Sequence, residues 1–300
     1  MDAVIDVGSN TIRMLLGSCH HGKILPHSYQ RQITRLGGDF SPQTGLSASA
    51  MERALITLES YSQIIAATDI SQVRAVATAV LRRAKNRSSF LARIAAETGL
   101  NIEVIGGEEE GRLTTLGSLS VIDPTPDTAI VIDIGGGSTE LICLVEGEIR
   151  LQKSYPLGVV NLCEEYFSTA QRQQQINSIV QQFNQSLQNA GLAEINYQLI
   201  GTAGTITTLA AIHLQLQKYN QHLINNHEIS IDWLANIQEK LELISVPERE
   251  QLIGMEKGRG DLILPGLQIL LTLMSQFQCS AVKVSDYGLL EGVMLQLTES

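Results

Sequence analysis

The chain has 300 residues, of which 44% are hydrophobic and 17% are charged, so it is long enough for one large or two ordinary globular domains. The net charge of -10 is uneven, because residues 1–125 carry 12 basic and 12 acidic side chains whereas residues 126–300 carry 9 and 19. This balance argues against a broad basic surface, and we expect no duplex nucleic acid as a partner.

The sequence also bears on location. No apolar run reaches the length of about 18 residues that a membrane-spanning helix needs, so we expect no membrane association. The first residues lack the basic flank and small-residue cleavage site of a secretory signal. The four cysteines lie far apart without a C-x-x-C pair, as is typical of a reducing compartment. These features predict a cytoplasmic protein.

The first predicted elements form a β-meander followed by β-α units. The stretch VIDVGSNTIR at 4–13 is an apolar strand that ends in an acid and a glycine, and two further apolar runs follow around the polar turn HHGK. Helical periodicity is present at 47–67 and 88–99, with a predicted strand at 73–78 between them. The pattern indicates an α/β lobe with helices packed on a central sheet.

The second half repeats this organisation. VIDIGGGSTE at 131–140 aligns with the first stretch at an offset of 127 residues, which places Asp6 on Asp133 and Gly8 on Gly135. A weaker similarity aligns 73–84 with 197–208, and helical periodicity returns at 170–191 and 232–244. A period this long predicts two duplicated lobes rather than a solenoid.

The domain boundaries are predicted from composition and periodicity. The proline-containing segment VIDPTPDT at 121–128 marks the crossing, so we predict lobe I at 1–124 and lobe II at 125–285. Residues 287–297 have helical spacing and follow the last strand, so the segment 286–300 is expected to pack back on lobe I.

The glycine-rich loops are predicted to bind phosphate. Each leads from a strand into another strand, which excludes a Rossmann loop, and neither contains the G-K-S or G-K-T of a Walker loop. Their backbone N–H groups can converge on an anion, and GTAGTI at 201–206 offers further N–H groups at a helix start. The predicted phosphate-binding residues are Gly8, Ser9, Asn10, Gly135, Gly136, Gly137, Ser138, Thr139, Gly204 and Thr205.

The acids beside these loops predict a metal site. Asp6 and Asp133 end strands next to the predicted phosphate, where a carboxylate repels the ligand unless a cation lies between them. Mg²⁺ suits this arrangement, with Mn²⁺ as an alternative, because it binds one or two carboxylates together with phosphate oxygens and water. Glu140 is a further candidate as a metal ligand or water-orienting group, although an outward-facing strand carboxylate is an equal alternative.

Five segments together resemble one family. They are VIDVGSNTIR, ATAVLRRAKN at 77–86, GGEEEGRL at 106–113, VIDIGGGSTE and GTAGTITTLA at 201–210. In this order and spacing they resemble the exopolyphosphatase/guanosine pentaphosphate phosphatase family, in its short two-domain form. The resemblance implies two ribonuclease H-like lobes of the actin, sugar kinase and heat-shock ATPase superfamily, with the active site in the cleft between them. Thr11 stands where the family more often has serine, which retains the hydroxyl.

The resemblance also assigns roles to residues. It implies that Glu110 is the general base that activates water and that Arg82 contacts phosphate oxygens. Glu108 and Glu109 are expected only to favour a helix start, where acids are stabilised by the helix dipole. Arg83, Lys85 and Arg87 either extend the cationic path or are solvated surface residues.

Several functions remain open at this point. The first is an exopolyphosphatase that releases terminal orthophosphate from polyphosphate, and the second is hydrolysis of the 5′ γ-phosphate of guanosine pentaphosphate, a stringent-response nucleotide. The third is a phosphate- or alarmone-binding module without turnover, which the retained Glu110, Asp133 and glycine loop disfavour. A sugar kinase is a weaker fourth, because such kinases use an aspartate base. We also expect a homodimer.

Overall fold

The structure of the protein is a computed structural model that describes residues 1–166 and 168–297. Its internal contacts divide the chain into two compact units. Unit 1 contains Met1–Ser120 and the helix that begins at Leu289, and unit 2 is Val121–Gly288. The boundaries predicted from the sequence, after 124 and 285, stay predictions, and residues 298–300 of the predicted C-terminal segment lie outside the described residues.

Unit 1 is built on a five-stranded mixed sheet in the order β3-β2-β1-β4-β5. Neighbours β1, β2 and β3 pair antiparallel, whereas β4 and β5 continue the sheet in parallel. The strands are β1 (Asp2–Val7), β2 (Thr11–His20), β3 (Lys23–Ile33), β4 (Val73–Ala77) and β5 (Ile102–Val104). The tight β1-β2 connection therefore places the first glycine loop at one end of the sheet.

Helices cover both faces of this sheet. One core contains apolar residues from α1 and α3, and a second core on the other side of β1 contains residues from α4 and α12. The helices of the unit are α1 (Ala48–Ala66), α2 (Ala79–Arg83), α3 (Arg87–Thr98), α4 (Gly107–Leu119) and α12 (Leu289–Leu297). A Cβ at Gly292 of α12 would lie 1.8 Å from the Leu113 carbonyl oxygen of α4, so only glycine allows these two helices to approach so closely.

Unit 2 is built on a six-stranded sheet in the order β10-β11-β9-β6-β7-β8. As in unit 1, the first three strands form an antiparallel meander, and β9 and β11 extend it in parallel from β6. The strands are β6 (Ala129–Ile134), β7 (Thr139–Val145), β8 (Glu148–Tyr155), β9 (Gln198–Thr202), β10 (Glu228–Ser230) and β11 (Ala281–Val284). The short β10 is an antiparallel addition at the edge.

The helices of unit 2 bury a large apolar core against the sheet. They are α5 (Val159–Glu165), α6 (Thr169–Asn189), α7 (Ala203–His213), α8 (Gln221–Ile224), α9 (Ile231–Glu242), α10 (Val246–Arg249) and α11 (Ile263–Gln276). Phe183 of α6 is fully buried and meets Tyr155 and Phe277 edge to face, at ring centroid distances of 6.4 and 5.9 Å. None of the helices in the described parts of the chain has the length and apolarity to cross a membrane.

The two sheets confirm the duplicated lobes. The order β3-β2-β1-β4-β5 of unit 1 recurs in unit 2 as β8-β7-β6-β9-β11, with the same strand directions. The aligned stretches occupy equivalent strands, since 4–13 covers β1 and the start of β2, and 131–140 covers β6 and the start of β7. The weaker similarity also holds, because β4 and β9 are the parallel neighbours of β1 and β6.

Candidate active site

The first glycine loop connects β1 to β2 and is fixed through its carbonyl groups. The N–H of Gly8 donates to the Thr11 carbonyl at 3.0 Å, and a Cβ at Gly8 would lie 2.9 Å from that oxygen, so the turn requires glycine. The Ser9 carbonyl accepts from the Gly37 N–H at 2.7 Å, and the Asn10 carbonyl accepts from the Thr34 N–H at 2.9 Å. These bonds hold the loop in one conformation.

The second glycine loop connects β6 to β7 and is fixed in the same manner by the start of α5. The Gly135 and Gly136 carbonyls accept from the N–H groups of Val159 and Val160 at 3.1 and 2.9 Å, and the Gly137 carbonyl accepts from the Asn161 side chain at 3.0 Å. In a planar trans peptide the N–H of the next residue points opposite to the carbonyl. The N–H groups that follow these three carbonyls are therefore directed away from α5, where they are available to a bound anion.

Two residues of this loop environment were not found from the sequence. Gly158 precedes α5, and a Cβ there would lie 2.2 Å from the Gly136 carbonyl oxygen, so glycine is needed for α5 to approach the loop. Asn161 supplies the side-chain amide that holds Gly137. Both residues lie in the segment LGVVN at 157–161, which follows the meander. This segment matches no general phosphate-binding motif.

The hydroxyl residues of the second loop have different environments. Ser138 is 5% exposed and follows the third glycine. Thr139 is fully buried, and its hydroxyl donates to the Leu157 carbonyl. This hydrogen bond stabilises the connection between β7 and the segment before α5, and the predicted contact of Thr139 with phosphate stays a prediction.

The acids at the two loops occupy duplicated positions but have opposite cross-strand neighbours. Asp6 lies opposite Arg13 in the β1-β2 register, and the Arg13 guanidinium donates to its Oδ2 at 2.6 and 3.0 Å. Asp133 lies opposite Glu140 in the β6-β7 register. Because Arg13 and Glu140 are equivalent in the repeat, one lobe neutralises its aspartate and the other places a second carboxylate beside it.

The environment of Arg13 is strongly ionic. Its pKa is raised well above its usual value although burial alone would lower it, because the nearby carboxylates of Asp6 and Glu291 favour the charged form. Asp6 is buried, and its Oδ1 has no hydrogen-bond partner among the described residues. Asp6 therefore retains one acceptor atom, but its charge is already balanced by Arg13.

The donor set of unit 2 suits a divalent cation better. Asp133 and Glu140 are 9% and 1% exposed, and Glu140 Oε1 accepts from the Ser154 hydroxyl at 2.6 Å. Two carboxylates facing each other across a strand pair repel unless a cation or proton lies nearby. They fit Mg²⁺, which binds through one or two carboxylates and completes its shell with phosphate and water. Among the described residues no cluster of three His, Cys, Asp or Glu side chains forms a complete metal site.

Glu110 and Arg82 form an ion pair in unit 1. Glu110 lies in the first turn of α4 with its side chain 8% exposed, and Arg82 at the end of α2 contacts its carboxylate and also donates to the Ile105 carbonyl at 3.1 Å. The two residues that the resemblance assigned to catalysis are thus brought together. The carboxylate is held in one orientation by a cation that is itself anchored to the backbone.

Glu108 and Glu109, the two acids that precede Glu110 in α4, have different environments. Glu108 is exposed, and Glu109 forms a bidentate pair with Arg112 at 2.9 Å for both hydrogen bonds. Hydrogen bonds from Arg112 lower the pKa of Glu109. Glu110 is therefore the one acid of the run that is buried, in agreement with a separate role for it.

The start of α7 brings an arginine to the third predicted phosphate segment. A Cβ at Gly204 would lie 2.3 Å from both terminal nitrogens of Arg259, so this guanidinium packs directly against the glycine. Arg259 is 7% exposed and ion-pairs with Glu256. Thr205 is 3% exposed and packs against Gly266 of α11. Arg259 lies in GRGD at 258–261, which matches no recognisable motif, so it was not identified from the sequence.

These features define an α/β protein with two duplicated lobes. Each lobe has a glycine hairpin next to an aspartate, and a buried glutamate pairs with an arginine in unit 1. Residues 19–300 match the model of the Ppx/GppA phosphatase family, and the chain belongs to that family. It is 28% identical, over 98% of both chains, to exopolyphosphatase 2 of Mycobacterium tuberculosis.

Solved structures support the same family. The Ppx/GppA family member from Aquifex aeolicus is 29% identical with a TM-score of 0.81, over 99% of this chain and 97% of that one. An exopolyphosphatase from Cytophaga hutchinsonii has a TM-score of 0.89 at 24% identity, over 99% and 97% of the chains, and shows the fold alone. The predicted fold class of two duplicated α/β lobes is confirmed.

Proposed function

We propose that this protein is a metal-dependent phosphoanhydride hydrolase that releases terminal orthophosphate from inorganic polyphosphate. Its family contains phosphatases, and a relative similar over 98% of its length is named an exopolyphosphatase. The observation that carries the proposal is the second glycine loop, where three N–H groups are directed away from α5 and where Asp133 lies opposite Glu140 in the strand register. A cation such as Mg²⁺ beside the two acids would lower their repulsion of a bound phosphate.

The bound phosphoryl group is held mainly by the backbone. N–H groups of Gly136, Gly137 and Ser138 would donate to its oxygens, and those after Ser9 and Asn10 would act in the same way at the first loop. These donors are fixed before substrate binds, so they need no reorganisation as charge develops in the transition state. Asp133 and Glu140 would hold Mg²⁺, which when bound supplies positive charge to the phosphate oxygens.

Glu110 is proposed to accept the proton of the attacking water. The ion pair with Arg82 orients the carboxylate. The oxygen of that water forms the new bond to the terminal phosphorus as the bond to the bridging oxygen breaks, and the shortened chain leaves with the bridging oxygen. Arg82 would balance part of the charge on the reacting group as the proton moves to Glu110.

The experiment is a side-by-side assay of orthophosphate release from long-chain polyphosphate and from guanosine pentaphosphate at saturating Mg²⁺. The proposal predicts a higher kcat/KM for polyphosphate, and a higher value for guanosine pentaphosphate would assign the same chemistry to the nucleotide. No release from either substrate would favour a binding module. The predicted homodimer, cytoplasmic location and link to the stringent response stay predictions.

A further inference from the structure

A second buried carboxylate acts on the Asp6–Arg13 pair of unit 1. Glu291 lies in the first turn of α12 and is 1% exposed. Helix α12 packs on β1, β2 and β3, the strands that carry and flank that pair. A carboxylate is buried at acceptable cost only where positive charge or hydrogen-bond donors surround it. The position of Glu291 therefore directs attention to the charges on this face of the sheet.

The strand register places three charged side chains on that face. Val4 and Leu15 belong to the core formed with α4 and α12. Side chains two residues apart on a strand share a face, so Asp6 of β1 and Arg13 of β2 also point toward these helices. Arg31 of β3 lies opposite Arg13. Two cations are thus neighbours on this face, and a nearby acid lowers their repulsion.

Glu291 supplies negative charge to this group. Burial lowers the pKa of Arg13, but neighbouring charges, which include those of Asp6 and Glu291, raise it well above its usual value. The Arg13 guanidinium is therefore attracted by two carboxylates from different elements, one on β1 and one on α12.

The hydrogen bonds between Arg13 and Asp6 do not follow the usual pattern for this pair of groups. Arginine commonly binds a carboxylate through two parallel hydrogen bonds, one to each oxygen. Here Nε and Nη2 of Arg13 both donate to Oδ2 of Asp6, at 3.0 and 2.6 Å. Oδ1 is buried and has no hydrogen-bond partner among the described residues. Arg13 is thus displaced from the position in which it would bind both oxygens.

We propose that Glu291 is a positioning residue whose charge keeps Arg13 on one oxygen of Asp6. Its attraction draws the guanidinium away from the parallel arrangement, so that Oδ1 stays an available acceptor two residues before Gly8 of the first glycine loop. This inference rests on the proposed function, because Oδ1 would serve the proposed cation or a water beside the bound phosphate. The position of Arg13 itself can be measured without turnover.

The direct test is a pair of high-resolution crystal structures, one of the wild-type protein and one of Glu291→Gln. Glutamine keeps the size of the side chain and removes its charge. We expect Arg13 to contact only Oδ2 in the wild type and to form parallel hydrogen bonds to Oδ1 and Oδ2 in the variant. Parallel hydrogen bonds in the wild type, or the same one-oxygen contact in both structures, would overturn the proposal.

A conservative variant extends the test in case Glu291→Gln does not fold. Glu291→Asp retains the negative charge on a shorter side chain. It should keep the one-oxygen contact and a kcat for phosphate release within a few-fold of the wild type. Parallel hydrogen bonds between Arg13 and Asp6 in this variant would contradict a role for the charge.

Kinetics distinguish positioning from a role in folding alone. Glu291→Gln should lower kcat about tenfold, as is typical when a residue that orients a metal-site carboxylate is changed. In an Arg13→Gln background the same substitution should cause no further loss, because it acts through Arg13. Additive losses in the double variant would overturn the proposal.

Two control variants complete the experiment. Val293→Ala removes buried apolar contacts of α12, so it should lower the thermal unfolding midpoint but leave kcat within about twofold. Glu103→Gln removes a charge from an exposed pair with Arg74 and should change neither quantity. A tenfold loss of kcat in Val293→Ala would assign the effect to helix packing and overturn the proposal. If the wild type releases no phosphate, the proposed function fails, and the crystal structures still decide whether Glu291 positions Arg13.

Discussion

Replacing Glu110 by glutamine separates an enzyme from a binding module. The change keeps the size of the side chain and an oxygen that accepts hydrogen bonds, but it removes the negative charge and the proton acceptor. In the structure this carboxylate is buried in the first turn of α4 and pairs with Arg82, which also donates to the Ile105 carbonyl. The substitution therefore affects both catalysis and an ion pair.

The two effects have different magnitudes and different measurements. Breaking a buried ion pair by removing one charge costs about 3–5 kcal/mol of folding free energy. Here the amide oxygen still accepts from Arg82 and Arg82 keeps its bond to Ile105, so we expect a loss of about 1–3 kcal/mol. Loss of a general base lowers kcat by about a hundredfold to ten-thousandfold. Substrate affinity should be unchanged or higher, because a negative charge leaves the phosphate site.

The assay is steady-state phosphate release from polyphosphate at saturating Mg²⁺, together with thermal unfolding of each variant. Glu108→Gln and Glu109→Gln are matched controls from the same helix turn. Glu108 is exposed and Glu109 makes a surface pair with Arg112, so each control should cost about 1 kcal/mol or less and leave kcat within a few-fold of the parent. An unchanged kcat in Glu110→Gln, or equal losses in all three folded variants, would refute the reasoning and direct attention to Glu140.

Three further predictions concern the metal, the α7 site and pH. Asp133→Asn should raise the Mg²⁺ concentration for half-maximal activity about tenfold more than Asp6→Asn, because Arg13 already neutralises Asp6; full activity in excess chelator would contradict this. Gly204→Ala should raise KM about tenfold by displacing the Arg259 guanidinium, and an unchanged KM would show that the contact is dispensable. Burial lowers the pKa of His227 from 6.5, so as the pH falls the unfolded chain protonates this histidine before the folded chain does. The free energy of unfolding should therefore fall as the pH drops below about 6.5. His227→Gln should reduce this pH dependence in denaturant titrations.

Much of the fold follows from local sequence patterns. Helix α1 begins after Ser47, whose side chain accepts from the Ala50 N–H, and α6 begins with a capping box formed by Ser168 and Gln171. Both helices were predicted within a few residues because caps and apolar periodicity are encoded locally. An aspartate and a glycine recur at the end of the first strand of each lobe. This repeat is visible directly in the sequence, and it predicted the duplicated sheets.

The candidate site was only partly predictable, because several of its contacts join segments distant in sequence. Arg259 reaches Gly204 across 55 residues of chain, and Asn161 holds Gly137 from the start of another helix. His213 Nδ1 and His227 Nε2, from two separate segments, lie 2.9 Å apart. Neither periodicity nor motif spacing carries this information, since it depends on how the elements pack.

The repeat also concealed a functional difference. The alignment places Arg13 on Glu140. Only the strand registers show that Arg13 lies opposite Asp6 and that Glu140 lies opposite Asp133. One aspartate then has a cationic neighbour and the other an anionic one. Cross-strand pairing therefore supplies the electrostatic reason to place the cation mainly in unit 2.

The most direct measurement of the central claim is a ³¹P NMR time course of long-chain polyphosphate with the wild-type protein and Mg²⁺. The account predicts that the orthophosphate signal grows as the internal phosphate signal declines, and that Glu110→Gln abolishes the change. Internal cleavage into mid-length fragments, or no orthophosphate above the Glu110→Gln background, would contradict terminal phosphate release by this protein.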